Sequence, residues 1–371
     1  MRRSAFFIRF IGIGILFHIY VGVRLIPEAP VSLPLKALAV ALLAASVVFI
    51  PLGMAARSIE PQTLADRLAW LGLTALGLFS SLLLLTFTRD VMLFFVHLVD
   101  WLRGAPIGSP VLFAAIGFYY ARRRAPVVTV DVPIENLPAA LDGFTIVQIS
   151  DIHVGPTIKR HYVERIVAAV NGLEPDLIAV TGDVVDGSVP NLADHTRPLA
   201  DLSARHGAFL VTGNHEYYSG ADKWIAEFRR LGLNVLLNQH VVLNHDGAQA
   251  VVAGVTDYGA GSFDPTHRSD PAKAISGAPA EAAVRVLLAH QPRSATAAAE
   301  AGFTLQLSGH THGGQFLPWN YFVRLQQPFV AGLVKFKGLW VYTSRGTGYW
   351  GPPKRLGAPS EITRIRLVAS T

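Results

Sequence analysis

The stretch Phe144-Thr145-Ile146-Val147-Gln148-Ile149-Ser150-Asp151-Ile152-His153 decides how the second half of the chain is read. An apolar run of strand length ends on a carboxylate and an imidazole two residues apart, so in extended backbone both face one side. The same arrangement recurs downstream. Leu177 to Thr181 runs into Gly182-Asp183, and Ala208 to Thr212 into Gly213-Asn214-His215-Glu216. Val284 to Leu288 leads to His290, and Thr304 to Leu307 to Ser308-Gly309-His310-Thr311-His312-Gly313-Gly314-Gln315. Further strands are expected over Ala250 to Val255 and Leu339 to Thr343, and amphipathic helices over Arg160 to Leu173 and Ala221 to Leu231. This alternation predicts an α/β domain, and such domains carry their chemistry at the carboxyl ends of the strands.

Singly, an Asp-x-His or a Gly-Asp pair is a common turn. Five such strand ends in order, mixing Asp, Asn and His with no Cys in the chain, suit two hard or borderline divalent ions (Mn, Fe or Zn) and not a structural zinc site. The absence of Cys also excludes a disulfide framework and a thiol nucleophile.

The set Asp151/His153, Gly182-Asp183, Gly213-Asn214-His215-Glu216, His290 and Gly309-His310-Thr311-His312 resembles the calcineurin-like metallophosphoesterase superfamily. The likeness covers roughly residues 126 to 370. The leading apolar spans and the tail from Ser344 to Pro353 resemble its bacterial membrane-anchored branch. The resemblance implies a four-layer α/β/β/α sandwich with a dinuclear metal centre at the carboxyl ends of the sheets. Residue by residue, it implies Asp151, His153 and His312 as terminal ligands of one metal, Asn214, His290 and His310 as those of the other, and Asp183 as the bridge. Asp186 is expected to support by hydrogen bonding and not to ligate. The implied chemistry is attack by a metal-bridged hydroxide in line with the leaving oxygen, with His215 as the catalytic partner of the leaving group. Tyr217, Tyr218, Arg345, Tyr349 and Arg355 are weighed evenly between lining a substrate pocket and packing. His161, His195, His206, His240, His245 and His267 lie away from the clusters and read as surface histidines.

Upstream the composition changes. Residues 1–124 hold 12 Lys/Arg against 5 Asp/Glu, a balance of +7, whereas residues 125–371 hold 20 against 21, a balance of −1. The positive excess therefore belongs to the apolar half, where it is a topology signal and not a nucleic-acid footprint. Ala37 to Ala56 and Leu68 to Thr88 are uncharged and long enough to cross a bilayer. Ala5 to Val23 is expected to be an uncleaved first span, Val91 to Leu102 an interfacial helix, and Pro110 to Tyr120 a fourth span. Residues 1–124 thus form a transmembrane section of about four helices, and residues 125–371 a metallophosphoesterase domain. With Arg2, Arg3, Arg9, Arg57, Arg67 and Arg122 to Arg124 on one side, a multi-pass cell-membrane protein with a cytoplasmic catalytic domain is expected.

The function expected is a membrane-anchored phosphoesterase that hydrolyses a phosphodiester or pyrophosphate bond of a small-molecule or lipid-linked substrate. Its expected partners are that substrate and the bilayer, without nucleic acid. Two rivals stand beside it: a broad-specificity phosphomonoesterase, and a non-catalytic metal-binding membrane sensor or accessory protein. A pure binder would have no need of His215.

Overall fold

The computed structural model describes residues 2–56, 59–95 and 108–370. It divides into two compact units, one of Met1–Tyr120 with Gly351–Lys354, the other of Ala121–Trp350 with Arg355–Thr371.

The first unit is helical: α1 (Arg2–Leu25), α2 (Leu33–Ala55), α3 (Gln62–Phe95) and α4 (Gly108–Arg122). Two stretches, Leu33–Ala55 and Gln62–Met92, are long and apolar enough to cross a membrane; the 23 residues of α2 extend about 35 Å at helical rise. The apolar parts of α1 and α4, Ile11–Leu25 and Val111–Arg122, are shorter. The expected interfacial helix is not seen as a separate element: Val91 to Phe95 continue α3, and residues 96–102 lie outside the described residues. α2 and α3 cross at glycines, where a Cβ on Gly53 would come within 2.7 Å of the Gly72 Cα, so two small residues let the backbones meet. α1 is tied in by polar contacts. The His18 ring stacks on Phe79 at 3.5 Å, with Nε2 2.9 Å from Ser46 Oγ. Arg24 forks onto Asp90 at 2.8 and 3.0 Å.

In the second unit twelve strands follow in chain order: β1 (Val127–Ile134), β2 (Thr145–Ile149), β3 (Leu177–Val180), β4 (Ala208–Leu210), β5 (Asn234–Val235), β6 (Gln239–His245), β7 (Ala248–Gly254), β8 (Val284–Leu288), β9 (Leu305–Ser308), β10 (Gly332–Phe336), β11 (Leu339–Thr343) and β12 (Ile362–Ala369). One sheet has the order β1-β12-β2-β3-β4-β5 and the other β10-β11-β9-β8-β7-β6. The inner strands β2 to β4 run parallel, as do β7, β8, β9 and β11; β12 meets β2 antiparallel and β1 in parallel.

Strand alternation sets the layers. Ile146, Leu177, Ala179 and Phe209 of one sheet meet Val252, Val286, Leu305 and Leu307 of the other in a buried inner core. On the outer face of the first sheet, Val147, Ile149, Ile178 and Val180 pack under α5 (Arg160–Asn171), α6 (Val189–Thr196) and, after the short α7 (Asn214–Ser219), α8 (Ala221–Arg230). The outer face of the second sheet packs Ala253, Leu287 and Val341 against α9 (Pro271–Ile275) and α10 (Ala295–Glu300). The layers are α/β/β/α.

One expectation fails here. His245 is not a surface residue: it is buried at the end of β6 against the Phe144 ring (4.9 Å), with the half-buried His206 beside it. Polar neighbours along the hairpin hide this in the sequence, because the covering aromatic lies a hundred residues away.

Candidate metal centre

Each side chain of the expected set leaves the turn that follows a strand. Asp151 and His153 follow β2, Asp183 follows β3, Asn214 and His215 open α7 after β4, His290 follows β8, and His310 and His312 follow β9. Five of them, Asp151, His153, Asp183, His310 and His312, have φ between 51° and 70°. That left-handed backbone costs a non-glycine residue roughly 1–2 kcal/mol, and it clusters where side chains are aimed for function. The turns fit only because Gly182 lacks a Cβ, which would lie 2.8 Å from His290 Nδ1 and 2.6 Å from the Gly213 nitrogen.

Glu216 locks two of these turns together. Its buried carboxylate accepts hydrogen bonds from the backbone N–H groups of Gly213 (2.7 Å), Asp183 (3.0 Å), Val184 (2.8 Å) and Val185 (3.3 Å). Burial pushes its carboxyl up to about 7. The sequence reading assigned it no role. An acid in the first turn of a helix looks like an ordinary cap, and its partners on the β3 turn are about thirty residues upstream.

The expected ligands converge in two groups, and His153, Asp186 and His215 form a third whose donor atoms also lie within 4.8 Å of one another. Asp151, His153 and His312 bring one donor atom each within 4.8 Å of one another, and so do Asp183, His290 and His310. His153 Nε2 lies 3.1 Å from His312 Nε2, which is 3.4 Å from Asp151 Oδ1. His310 Nδ1 lies 3.2 Å from His290 Nε2 and 3.0 Å from Asn214 Oδ1. Asp183 Oδ2 sits between the groups, 3.1 Å from His290 Nε2 and 3.9 Å from His153 Nε2. Donor atoms held about 2.0–2.2 Å from a shared cation stand roughly 3 Å apart, so these spacings fit divalent metal. Burial would raise the Asp183 carboxyl, but the facing His290 and His215 outweigh it and hold it well below the usual carboxylate range. Burial, reinforced by His290, lowers His310 to about 3, leaving its ring neutral and its lone pair free.

Asp186 touches both neighbouring rings from behind. Its Oδ2 is 3.1 Å from His153 Nδ1, and its Oδ1 is hydrogen-bonded to His215 Nδ1. A carboxylate there places the proton of each ring on Nδ1 and leaves Nε2 facing inward. His215 Nε2 stands 4.0 Å from Asp183 Oδ2. Burial would lower the His215 pKa, but Asp183 and Asp186 outweigh it and lift it to about 9, so the ring carries a proton to give. Tyr218 and Trp350 flank this ring at 5.2 and 5.8 Å, and both are exposed.

The other candidates divide. Arg355 is buried against His312, with Nη2 3.0 Å from Nδ1 and Nη1 donating to the His312 carbonyl at 2.9 Å; burial lowers its pKa to about 10. Tyr349 is a core residue, its hydroxyl donating to the Thr157 carbonyl at 3.3 Å. Arg345 pairs with Glu361 at 2.8 Å, and Tyr217 is buried with its hydroxyl 2.9 Å from His267 Nδ1.

Residues 144–314 match the family model described as calcineurin-like phosphoesterase, a segment that encloses the whole cluster. The chain is 37% identical over 302 residues to a bovine (Bos taurus) transmembrane protein with metallophosphoesterase domain, an alignment covering 74% of this chain and 68% of that one. The chain belongs to the calcineurin-like metallophosphoesterases. This metallophosphoesterase is also 38% identical over 264 residues to the zebrafish (Danio rerio) protein of the same description, covering 69% of this chain and 60% of that protein's own length. It is 30% identical over 277 residues to a Bacillus subtilis metallophosphoesterase, YkuE, covering 70% and 93%. The family is one of metal-dependent phosphoester hydrolases, and the His and Asp groups of this metallophosphoesterase are of the kind that hold divalent metal.

Proposed function

We propose that this chain is a membrane-anchored phosphoesterase that cleaves a phosphodiester or pyrophosphate bond. The observation that carries the reading is the convergence of Asp151, His153 and His312, and of Asn214, His290 and His310, on either side of Asp183, with protonated His215 at the edge. Asp183 would serve both metal positions, its carboxylate offsetting the cations' charge, while neutral Asn214 limits the negative charge of the second set. Two divalent cations (Mn, Fe or Zn) would supply charge neutralisation at the phosphate oxygens and an activated water. In its doubly protonated form His215 would then donate its Nε2 proton to the departing oxygen, while Asp186 accepts from Nδ1–H and fixes the ring's orientation. Asp151, Asp186 and Glu216 keep the turns and rings in place before substrate arrives, so little reorganisation remains for the chemical step.

The anchor supports a substrate that is itself held at a membrane, and the relatives described as transmembrane agree with such an anchor. Helices α1 to α4 are read as the anchor, multi-pass in the cell membrane, with residues 125–371 in the cytoplasm. Protease added to intact cells is expected to leave those residues uncut; cleavage there, with a cytoplasmic control intact, would put the domain outside. The test of the activity is a turnover panel on metal-reconstituted full chain. Bis-nitrophenyl phosphate, nucleotide diphosphate sugars and phospholipids are expected to turn over faster than nitrophenyl phosphate. A monoester preference would establish the phosphomonoesterase instead, and metal binding without any turnover would establish a sensor.

A further inference from the structure

The segment that follows the His310/His312 turn carries a second feature, which the site itself does not use. After Gly314 the chain forms a one-turn helix (Trp319–Phe322) and a 3-10 turn (Val323–Leu325). The segment is rooted at both ends: the Leu317 N–H donates to the Leu356 carbonyl at 2.7 Å, Asn320 packs against Gly314, where any Cβ would collide with it, and the Thr311 hydroxyl donates to the Val330 carbonyl at 2.6 Å. Between these roots the loop turns its large apolar side chains outward. Leu325 is 83% exposed and Tyr321 67%, with Leu317, Trp319 and Phe322 each above two-fifths. Soluble surfaces scatter such residues singly and do not mount five on one loop.

Charge and residue type name the occupant. Arg324 is exposed on the same loop, and no Asp or Glu interrupts the sequence between Glu300 and Glu361. Trp, Tyr and Arg beside Leu and Phe are the residues that settle at the headgroup–acyl boundary, the rings spanning the polar and apolar layers and the cation meeting lipid phosphate. A protein partner would more commonly be met by side chains already packed into a rigid patch; here the Trp319 and Phe322 rings meet only at a tilt, 5.6 Å apart, and Tyr321 and Leu325 are more than two-thirds exposed.

We propose that the loop of residues 316–326 is a lipid-contacting foot that seats the entrance of the metal centre on an anionic bilayer surface, so that a phosphate carried at the headgroup level reaches the cluster. The choice of a headgroup phosphate as substrate rests on the phosphoesterase reading above; the contact with lipid does not. Because the chain has no Cys, a single fluorophore can be placed by Leu325→Cys and, as a control, by Glu135→Cys, whose side chain is 75% exposed. In nanodiscs of phosphatidylcholine and phosphatidylglycerol, the full chain labelled at 325 is expected to be quenched several-fold more by doxyl-lipid than by aqueous iodide, with the reverse at 135. Equal iodide quenching at both positions would overturn the foot. In the double variant Phe322→Asn, Leu325→Asp, the ratio of turnover on a bilayer-embedded phosphodiester to that on soluble bis-nitrophenyl phosphate should fall roughly tenfold, and an unchanged ratio would also overturn it. Quenching by lipid without hydrolysis of either substrate would uphold the foot and strike the phosphoesterase reading alone.

Discussion

The catalytic unit holds two clusters of histidine and aspartate at opposite ends of its strands, and they are built differently. At the amino ends of β3 and β4, His206 Nε2 lies 2.9 Å from His245 Nδ1, and Asp176 Oδ1 lies 4.0 Å from the same nitrogen. The polar atoms there answer one another. Asp176 accepts from the Thr145 N–H at 2.8 Å and its hydroxyl at 3.0 Å, and Arg205 pairs with Asp246 at 2.6 Å. At the carboxyl ends, by contrast, donor atoms of three side chains at a time converge within 4.8 Å of one another, most of them on left-handed backbone. Residue type therefore does not distinguish a site from a structural cluster. What distinguishes it is the convergence of several ligand-type atoms on one point in the interior, on turns held in left-handed backbone.

The contrast can be broken in several places. The largest effect is expected from Asp183→Ala, which removes the one carboxylate shared by both groups: turnover should fall to background and elemental analysis should find both metals depleted. Two retained metals would mean Asp183 does not lie between them. Next, Glu216→Ala strips the partner from four buried N–H groups. With each unsatisfied donor costing about 1–3 kcal/mol before relaxation, the protein should lose roughly 3 kcal/mol or more in denaturant unfolding. Glu216→Gln, which keeps one accepting oxygen, should lose less. An unchanged midpoint for the alanine variant would deny that the turns are locked from below.

His215→Gln should lower turnover by roughly 10² while both metals stay, since it removes a proton donor and no ligand atom. The loss should shrink for a substrate with a very good leaving group, and depleted metal in this variant would move His215 into the coordination shell. The smallest effect belongs to the amino-end cluster. Burial, then the charges of His245 and Arg205, lower the His206 pKa against the weaker pull of Asp176 and Asp246. With the folded pKa below the unfolded one, the unfolded chain binds the extra proton first. His206 is thus neutral at no penalty above about pH 6.5 and costs stability as the pH falls below it. The ring is half-exposed and water screens it, so His206→Gln should flatten the loss of melting temperature between about pH 7 and 5 by only about 1–2 °C. A steeper acid loss in the variant would reverse the sign assigned here.

These two clusters also show where the sequence could be read. The carboxyl-end residues stand out because each closes a largely apolar run of strand length, and the runs β2, β3, β4, β8 and β9 are buried on both faces and so mostly apolar, broken only by single polar residues such as Gln148, Arg285 and Gln306. The sheet edges lack that signal. β5 is two residues long, and β12 alternates Ile362, Arg364, Arg366 and Val368 with Thr363, Ile365 and Leu367, its place set by register with β1 and β2 and not by its own pattern. Tyr349, weighed evenly between pocket and packing, packs under α5 with Tyr162, a contact no local spacing announces.

The position of β12 has a consequence for biosynthesis. β12, the last of the described strands, is wedged between the first two, pairing Val127 with Ile362 on one side and Gln148 with Thr363 on the other. At roughly 5–20 residues per second, the ribosome leaves on the order of 10–40 s between the completion of β2 and the arrival of its partner. Throughout that interval β1 and β2 present unpaired edges while α1 to α3 have already left the ribosome. Closure of the first sheet therefore waits until Ile362–Ala369 have left the ribosome. Any cut or stop upstream of Ile362 would sever β1 from β2 and leave the edge of β2 open to pairing with another chain.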